Sequence, residues 1–125
     1  MRACSVRITD VDVEAMLDHV SLAQSIEEAH RALSNQIAAQ PVPSSLFVGD
    51  LESETPAIIP MVAMDVAADM VVVKMLADAP GNRRMGLPAQ RSSVAVFSAT
   101  TAECLAVIDG RALTRIRTAC TTAVA

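Results

Sequence analysis

Aromatic residues are almost missing from this chain, which has no tryptophan, no tyrosine and only two phenylalanines. Proteins that hold single-stranded nucleic acid stack its bases on aromatic rings along a basic groove. Neither component is present. Arg83-Arg84 is the only adjacent basic pair, and the formal charge is −4 with a pI near 5.0. Nucleic acid is therefore not an expected partner. Cysteine is also scarce: Cys4, Cys104 and Cys120 are odd in number, far apart and outside any CxxC spacing. That argues against a disulfide framework or a zinc cluster and predicts reduced thiols in a cytoplasmic protein. His19 and His30 have no third ligand at metal spacing, so no metal site is expected. There is no GxGxxG turn and no phosphate-binding loop. The start of the chain lacks an apolar signal region, and charges interrupt every apolar stretch well before about 18 residues, so neither secretion nor a membrane span is expected.

What the chain does have is aliphatic bulk. Hydrophobic residues make up 52% of its 125 positions, mostly Ala, Val, Ile, Leu and Met. That suits one domain or part of one. Thr9 and Asp10 read as caps for a short helix through Val11, Val13, Met16 and Leu17. Ser21, with Gln24 three residues on, reads as the capping box of a second helix. Its apolar stripe is Leu22, Ile26, Ala29, Leu33 and Ile37, with Glu27 and Arg31 paired on the exposed side. Pro41 and Pro43 end the helical region. The pattern then changes to short β-branched and apolar runs at Ser45–Val48, Ala57–Met64, Met70–Leu76, Ser92–Phe97 and Glu103–Ile108. The gaps between most of them are too short for helical crossovers. The expected class is α+β, with the two amino-terminal helices covering a mostly antiparallel sheet. The segment from Asp78 to Pro88 reads as a loop. A last helix is expected from about Leu113 onward, and it shows no C-cap signal, as an unfinished element would.

Two cations stand in apolar company. Lys74 lies between Met70-Val-Val-Val73 and Met75-Leu76, where an unpaired ammonium would be costly. It must snorkel to water, pair with a carboxylate, or face a ligand site. Arg117 falls inside the helical stripe of Leu113, Ile116, Cys120 and Val124, whereas Arg111 and Arg115 fall on the opposite side. A guanidinium in that position wants a planar anion, either a buried Asp or Glu or a bound amino or keto acid.

Pro80-Gly-Asn82 followed by Gly86-Leu-Pro88, after a strand carrying Lys74, resembles the ornithine cyclodeaminase/μ-crystallin family. The segment Ala106-Val-Ile-Asp-Gly-Arg-Ala-Leu-Thr-Arg-Ile-Arg-Thr-Ala-Cys-Thr-Thr-Ala123 is similar to that family's "ALLDGxxLTxxRTAAxSA" motif. The resemblance covers residues 57 to 125 well and the first helices loosely. It implies an enzyme using NAD(H) or NADP(H) on a small amino, imino or keto acid. Family activities include ornithine cyclisation to proline, cyclic ketimine reduction and alanine dehydrogenation. It implies a substrate-binding and dimerisation domain in residues 1–125, with the Rossmann domain outside them, and a homodimer. Lys74 and Arg117 would bind the substrate carboxylate, and the positions of Ala89 and Arg117 would touch the cofactor. The sequence departs from the pattern in two places. Val42-Pro43-Ser44-Ser45 stands where the family often has an arginine, which leaves the substrate open. Ala89 replaces a frequent threonine. The alternative reading is a stand-alone module that binds a small carboxylate or drives oligomerisation.

Overall fold

The computed structural model describes residues 6–47 and 54–124. Strand β1 (Val6–Ile8) leads into helices α1 (Asp10–Met16) and α2 (His19–Ser34), and a short β2 (Ala38–Ala39) follows. Strands β3 (Ala57–Asp65) and β4 (Met70–Asp78) come next. A 3-10 helix (Pro80–Met85), β5 (Gln90–Ser98), β6 (Cys104–Asp109) and helix α3 (Gly110–Val124) complete the order. The strands form one mixed sheet in the order β1-β6-β5-β4-β3-β2. All neighbours are antiparallel except β1 and β6, which run parallel with Val6 opposite Ala106.

The α+β class holds, but the helix layer differs from the sequence reading. Helix α3 lies against the sheet at β5, α1 and α2 pack on α3, and of the two amino-terminal helices α2 also meets the sheet at β2. The core is accordingly centred on the helices: Val13, Ile26, Ala112, Ile116 and Cys120 are buried together, with Ile8, Leu17, Leu22, Ile108 and Leu113 packed around them. The amphipathic stripe of α2 fixes which face turns inward but does not say whether a sheet or a helix meets it.

Local chemistry explains the element boundaries. Thr9 caps α1 in a reciprocal capping box with Asp12. Asp10 does not cap α1. Its Oδ1 accepts the Ala112 N–H at 2.8 Å, so it caps α3 across 102 residues of sequence. The α2 cap is Asp18, not Ser21; the Asp18 carboxylate accepts both the Ser21 N–H at 2.9 Å and the Ser21 hydroxyl at 2.6 Å. Aspartate outcompetes serine there because a charged acceptor takes both donors at once and also faces the positive end of the helix. The Glu27–Arg31 pair forms as the i,i+4 spacing predicts. Ile37 lies beyond α2, because the helix ends at Ser34 and Gln36 turns to φ 59°. The expected strand at Ser45–Val48 is reduced to one bridge, Leu46 to Ile58, with Val48 outside the described residues. Strands β1 and β2 are too short to show a period of two.

The loop from Asp78 to Pro88 contains the 3-10 helix, which Gly86 ends at φ 69°. Cys104 lies in a disulfide, which corrects the expectation that every thiol is reduced; Cys120 is free and buried.

Asp69 ties two turns together. It sits at φ 51° between β3 and β4, and its carboxylate accepts from the Thr100 N–H at 2.8 Å, the Thr100 hydroxyl at 2.9 Å and the Ser98 hydroxyl at 3.1 Å. The bonds from Thr100 lead in holding its pKa below the ordinary carboxylate value.

The two faces of the sheet differ. Lys74 reaches α3, so its alternation places Val73 and Met75 on the opposite face. Across the register Val73 adjoins Val62 and Ala95, and Met75 adjoins Pro60 and Ser93. Val62, Val73 and Met75 are 40%, 38% and 49% exposed, which leaves this face apolar and open.

The seating of α3 depends on Gly110. A methyl placed there would lie 2.2 Å from Ser92 Oγ and 2.9 Å from the Ser92 carbonyl carbon. Gly110→Ala should therefore destabilise the fold by about 1–3 kcal/mol, as overpacked sites do. Urea denaturation checks this, and Ser92→Gly in the same chain should recover only part, because the backbone carbon still blocks the methyl.

Candidate functional site

The candidate site is built where α3 crosses β4 and β5. Lys74 is the centre of β4, paired with Met61 on one side and Val94 on the other. Its side chain rises from the helix-covered face, half-buried, and the ammonium donates to Thr114 Oγ1 at 2.9 Å. Thr114 Oγ1 lies 3.4 Å from Ser92 Oγ on β5. The three polar groups form a short chain running from strand to helix to strand.

No carboxylate of the described residues pairs with Lys74. Burial pushes its pKa below the ordinary lysine value, and the Arg117 guanidinium adds to the depression. Two like charges on adjoining elements disfavour each other's ionised form, as does removal of water.

Arg117 itself is placed differently from the helical-wheel reading. It lies on α3 one turn after Thr114, but it is exposed. The core stripe of α3 is Ala112, Ile116 and Cys120. Arg117 belongs to the neighbouring stripe with Thr114, at the border of the sheet. A one-residue error in phase turns a helix by about 100°, which is enough to move a side chain from core to rim. Its guanidinium has no ion pair or hydrogen bond among the described residues, so its donors are available.

Ala89 sits half-buried just before β5. Its carbonyl accepts the Ala79 N–H at 2.7 Å, and its methyl offers nothing to a polar ligand. The cavity that reaches Thr114, about 330 Å3, also includes Leu76, Ser92 and Arg111 in its wall, while Lys74 and Arg117 do not line it. The structure thus brings Lys74 and Arg117 into electrostatic contact and leaves Ala89 as a backbone position.

Sequence reasoning missed Thr114 and Ser92. Thr114 precedes Arg117 by three residues, the spacing of neighbours on one helix face, and that was the available signal. A second signal was numerical: of ten basic residues, nine are arginine, and Lys74 is the only lysine. Elsewhere, Cys120 Sγ lies 3.9 Å from His19 Nδ1. Among the described residues no three His, Cys, Asp or Glu side chains converge as a metal site would require, and no helix is long and apolar enough to cross a membrane.

The fold is shared with known enzymes. It superimposes on Δ1-pyrroline-2-carboxylate reductase of Thermococcus litoralis, solved with NADH and L-proline, with a TM-score of 0.82 and 23% identity, covering 94% of this chain and 35% of that one. An archaeal alanine dehydrogenase dimer with bound NAD gives 0.81 and 25%, covering 93% and 34%. The iminosuccinate reductase of Paracoccus denitrificans in complex with NAD+ gives 0.84 and 19%, covering 94% and 36%. The chain spans about a third of the length of these enzymes. No curated protein matches it. The model of the ornithine cyclodeaminase/mu-crystallin family matches residues 5–125. With that match across nearly its full length, the chain belongs to the ornithine cyclodeaminase/mu-crystallin family.

Proposed function

We propose that this chain forms the substrate-binding part of an NAD(P)-dependent enzyme acting on a small amino, imino or keto acid, with Lys74 and Arg117 holding the acid's carboxylate. One observation carries the reading. The only lysine of the chain is half-buried on the helix-covered face, with a threonine hydroxyl as its hydrogen-bond partner and an arginine as the charge acting on it. A structural ion pair would have supplied a carboxylate. A bound carboxylate instead relieves the repulsion between the two cations and accepts from both. The guanidinium fork orients the planar anion, and the ammonium adds a point charge that Thr114 aims.

Relatives solved with NADH or NAD+ support a nicotinamide cofactor in the whole protein. Arg117, with all its donors available, suits an anionic oxygen of substrate or cofactor. Ala89 fits less well, since it retains no side-chain donor for that role. A nicotinamide, when bound, supplies hydride exchange. The work of Lys74, Thr114 and Arg117 is to bind the acid, fix its orientation and keep the carboxylate partly shielded from water.

The open apolar face supports a homodimer in which a second copy covers Val62, Val73 and Met75, since a patch of this kind is costly to leave in water. Sedimentation of the chain should show a dimer, and Val73→Glu should shift it to monomer. A wild-type chain that stays monomeric at high micromolar concentration would count against this surface.

For the site, calorimetric titration with pyruvate or L-proline should show weaker binding in Arg117→Lys, by about tenfold or more, and no change in Arg115→Lys. Equal effects of the two substitutions would remove Arg117 from the site.

A single lysine also allows a direct reading of charge. With 13Cε-labelled lysine, the Lys74 signal should titrate below the ordinary value near 10.5. The folded form releases its proton first, so the unfolded chain binds more protons between the two values. Stability therefore rises with pH through that window. Carboxylate binding should move the midpoint upward; an unchanged midpoint would disconnect Lys74 from the ligand.

A further inference from the structure

Apart from Lys74 and Arg117, positive charge gathers at one end of the sheet. There the end of β4, the start of β5 and the first turn of α3 border two adjoining cavities of about 330 and 260 Å3. Arg91 and Arg111 line both, together with Gln90 and Ser92.

The charges on these walls divide into satisfied and unsatisfied groups. Arg115 is paired with Glu14 at 2.8 Å, and Arg7 with Asp109 at 2.9 Å. Asp10 is committed to the Ala112 N–H at the amino end of α3, where a negative charge offsets the helix dipole. Arg91 and Arg111 are exposed and have no ion pair or hydrogen bond among the described residues. Two uncompensated guanidinium groups thus face the same space in a chain whose formal charge is −4.

We propose that Arg91 and Arg111 form a binding site for the phosphate group of a small ligand. The geometry favours phosphate over a simple carboxylate. One guanidinium already satisfies both oxygens of a carboxylate, whereas a phosphate dianion has enough oxygens to accept from two forks arriving from different elements. Its charge is opposite to that of the two unpaired guanidinium groups. The Ser92 hydroxyl supplies a further donor in the wall. The backbone of the site is held in advance, because Arg111 follows Gly110 at the tight contact with Ser92, and Arg91 directly precedes Ser92.

The site adjoins the proposed carboxylate site but uses different cations. Thr114 stands between them, lining the cavity while receiving the Lys74 ammonium. The two can therefore be tested apart. The phosphate could arrive as free inorganic phosphate or as part of a nucleotide, and the chemistry at the two arginines is the same.

The test is titration of the chain with inorganic phosphate and with adenosine monophosphate, followed by amide chemical shifts. Arg91→Gln and Arg111→Gln should each weaken phosphate binding by about tenfold or more, with Arg83→Gln leaving it unchanged. Both Gln variants remove exposed, unpaired side chains, so their melting temperatures should match the parent chain and loss of fold is not a competing explanation. Tighter binding of the monophosphate than of phosphate, still lost in both variants, identifies a nucleotide source. Equal binding of the two identifies a free anion. The proposal is overturned if neither ligand binds, if the Arg91→Gln/Arg111→Gln double variant binds as the parent does, if acetate binds as tightly as phosphate, or if Lys74→Met weakens phosphate as much as Arg91→Gln. The last outcome would place the anion at the carboxylate site and leave that site's own test intact.

Discussion

The close approach of α3 to the start of β5 is the constraint on which the remaining structure rests. At Gly110 the helix touches the Ser92 backbone closely enough to exclude a methyl group. This contact fixes the first turn of α3, and the helix then carries everything that follows from its height and rotation. Ala112, Ile116 and Cys120 face α1 and α2 and complete the core. Thr114 reaches the Lys74 ammonium. Arg111 is left beside Arg91, and Arg117 at the rim near Lys74. Core, candidate carboxylate site and basic cavity all draw residues from one helix. A shift of α3 along the sheet would disturb all three together.

The seam is made from small and polar side chains because bulk would hold the layers apart. Gly110, Ser92 and Thr114 meet where α3 crosses β5. A lysine can survive there because its stem packs along the sheet while its ammonium meets a hydroxyl. The cost of that partial burial remains visible as a lowered pKa. A neutral residue at position 74 would avoid it. Retaining a destabilised cation without an acidic partner is easier to explain by a ligand than by the fold.

Much of this was legible in the sequence, and the failures have identifiable physical causes. The four long strands follow from alternation and β-branching, and their observed limits extend the expected ones by one or two residues at most ends. Lys74 stood out because a charge in a doubly apolar run must be accounted for. The capping residues were harder. Ser21 satisfied a local rule, but Asp18 offered the stronger acceptor three residues earlier. Asp10 could not be assigned from its neighbours, because its hydrogen-bond partner lies on α3. The phase of Arg117 was misjudged for a related reason. A helix with small residues on several sides has no sharply bounded apolar stripe, and only packing decides which edge is core. The cysteine reading failed because a disulfide depends on which segments the fold brings together, and isolated cysteines far apart in sequence carry no local sign of it.

The contacts that close the helix layer have an unusual span. Arg7 to Asp109 and Asp10 to Ala112 each cross 102 residues, and Glu14 to Arg115 crosses 101. The antiparallel meander of β3, β4 and β5 needs only near neighbours in the chain. Loop-closure entropy makes distant contacts slow to form, while short-range pairing proceeds first. On the ribosome the meander can assemble while α1 and α2 wait with their apolar stripes uncovered. Apart from the contact of α2 with β2, they gain their partner when α3 has emerged. The length of that interval is set by the time taken to synthesise the sheet.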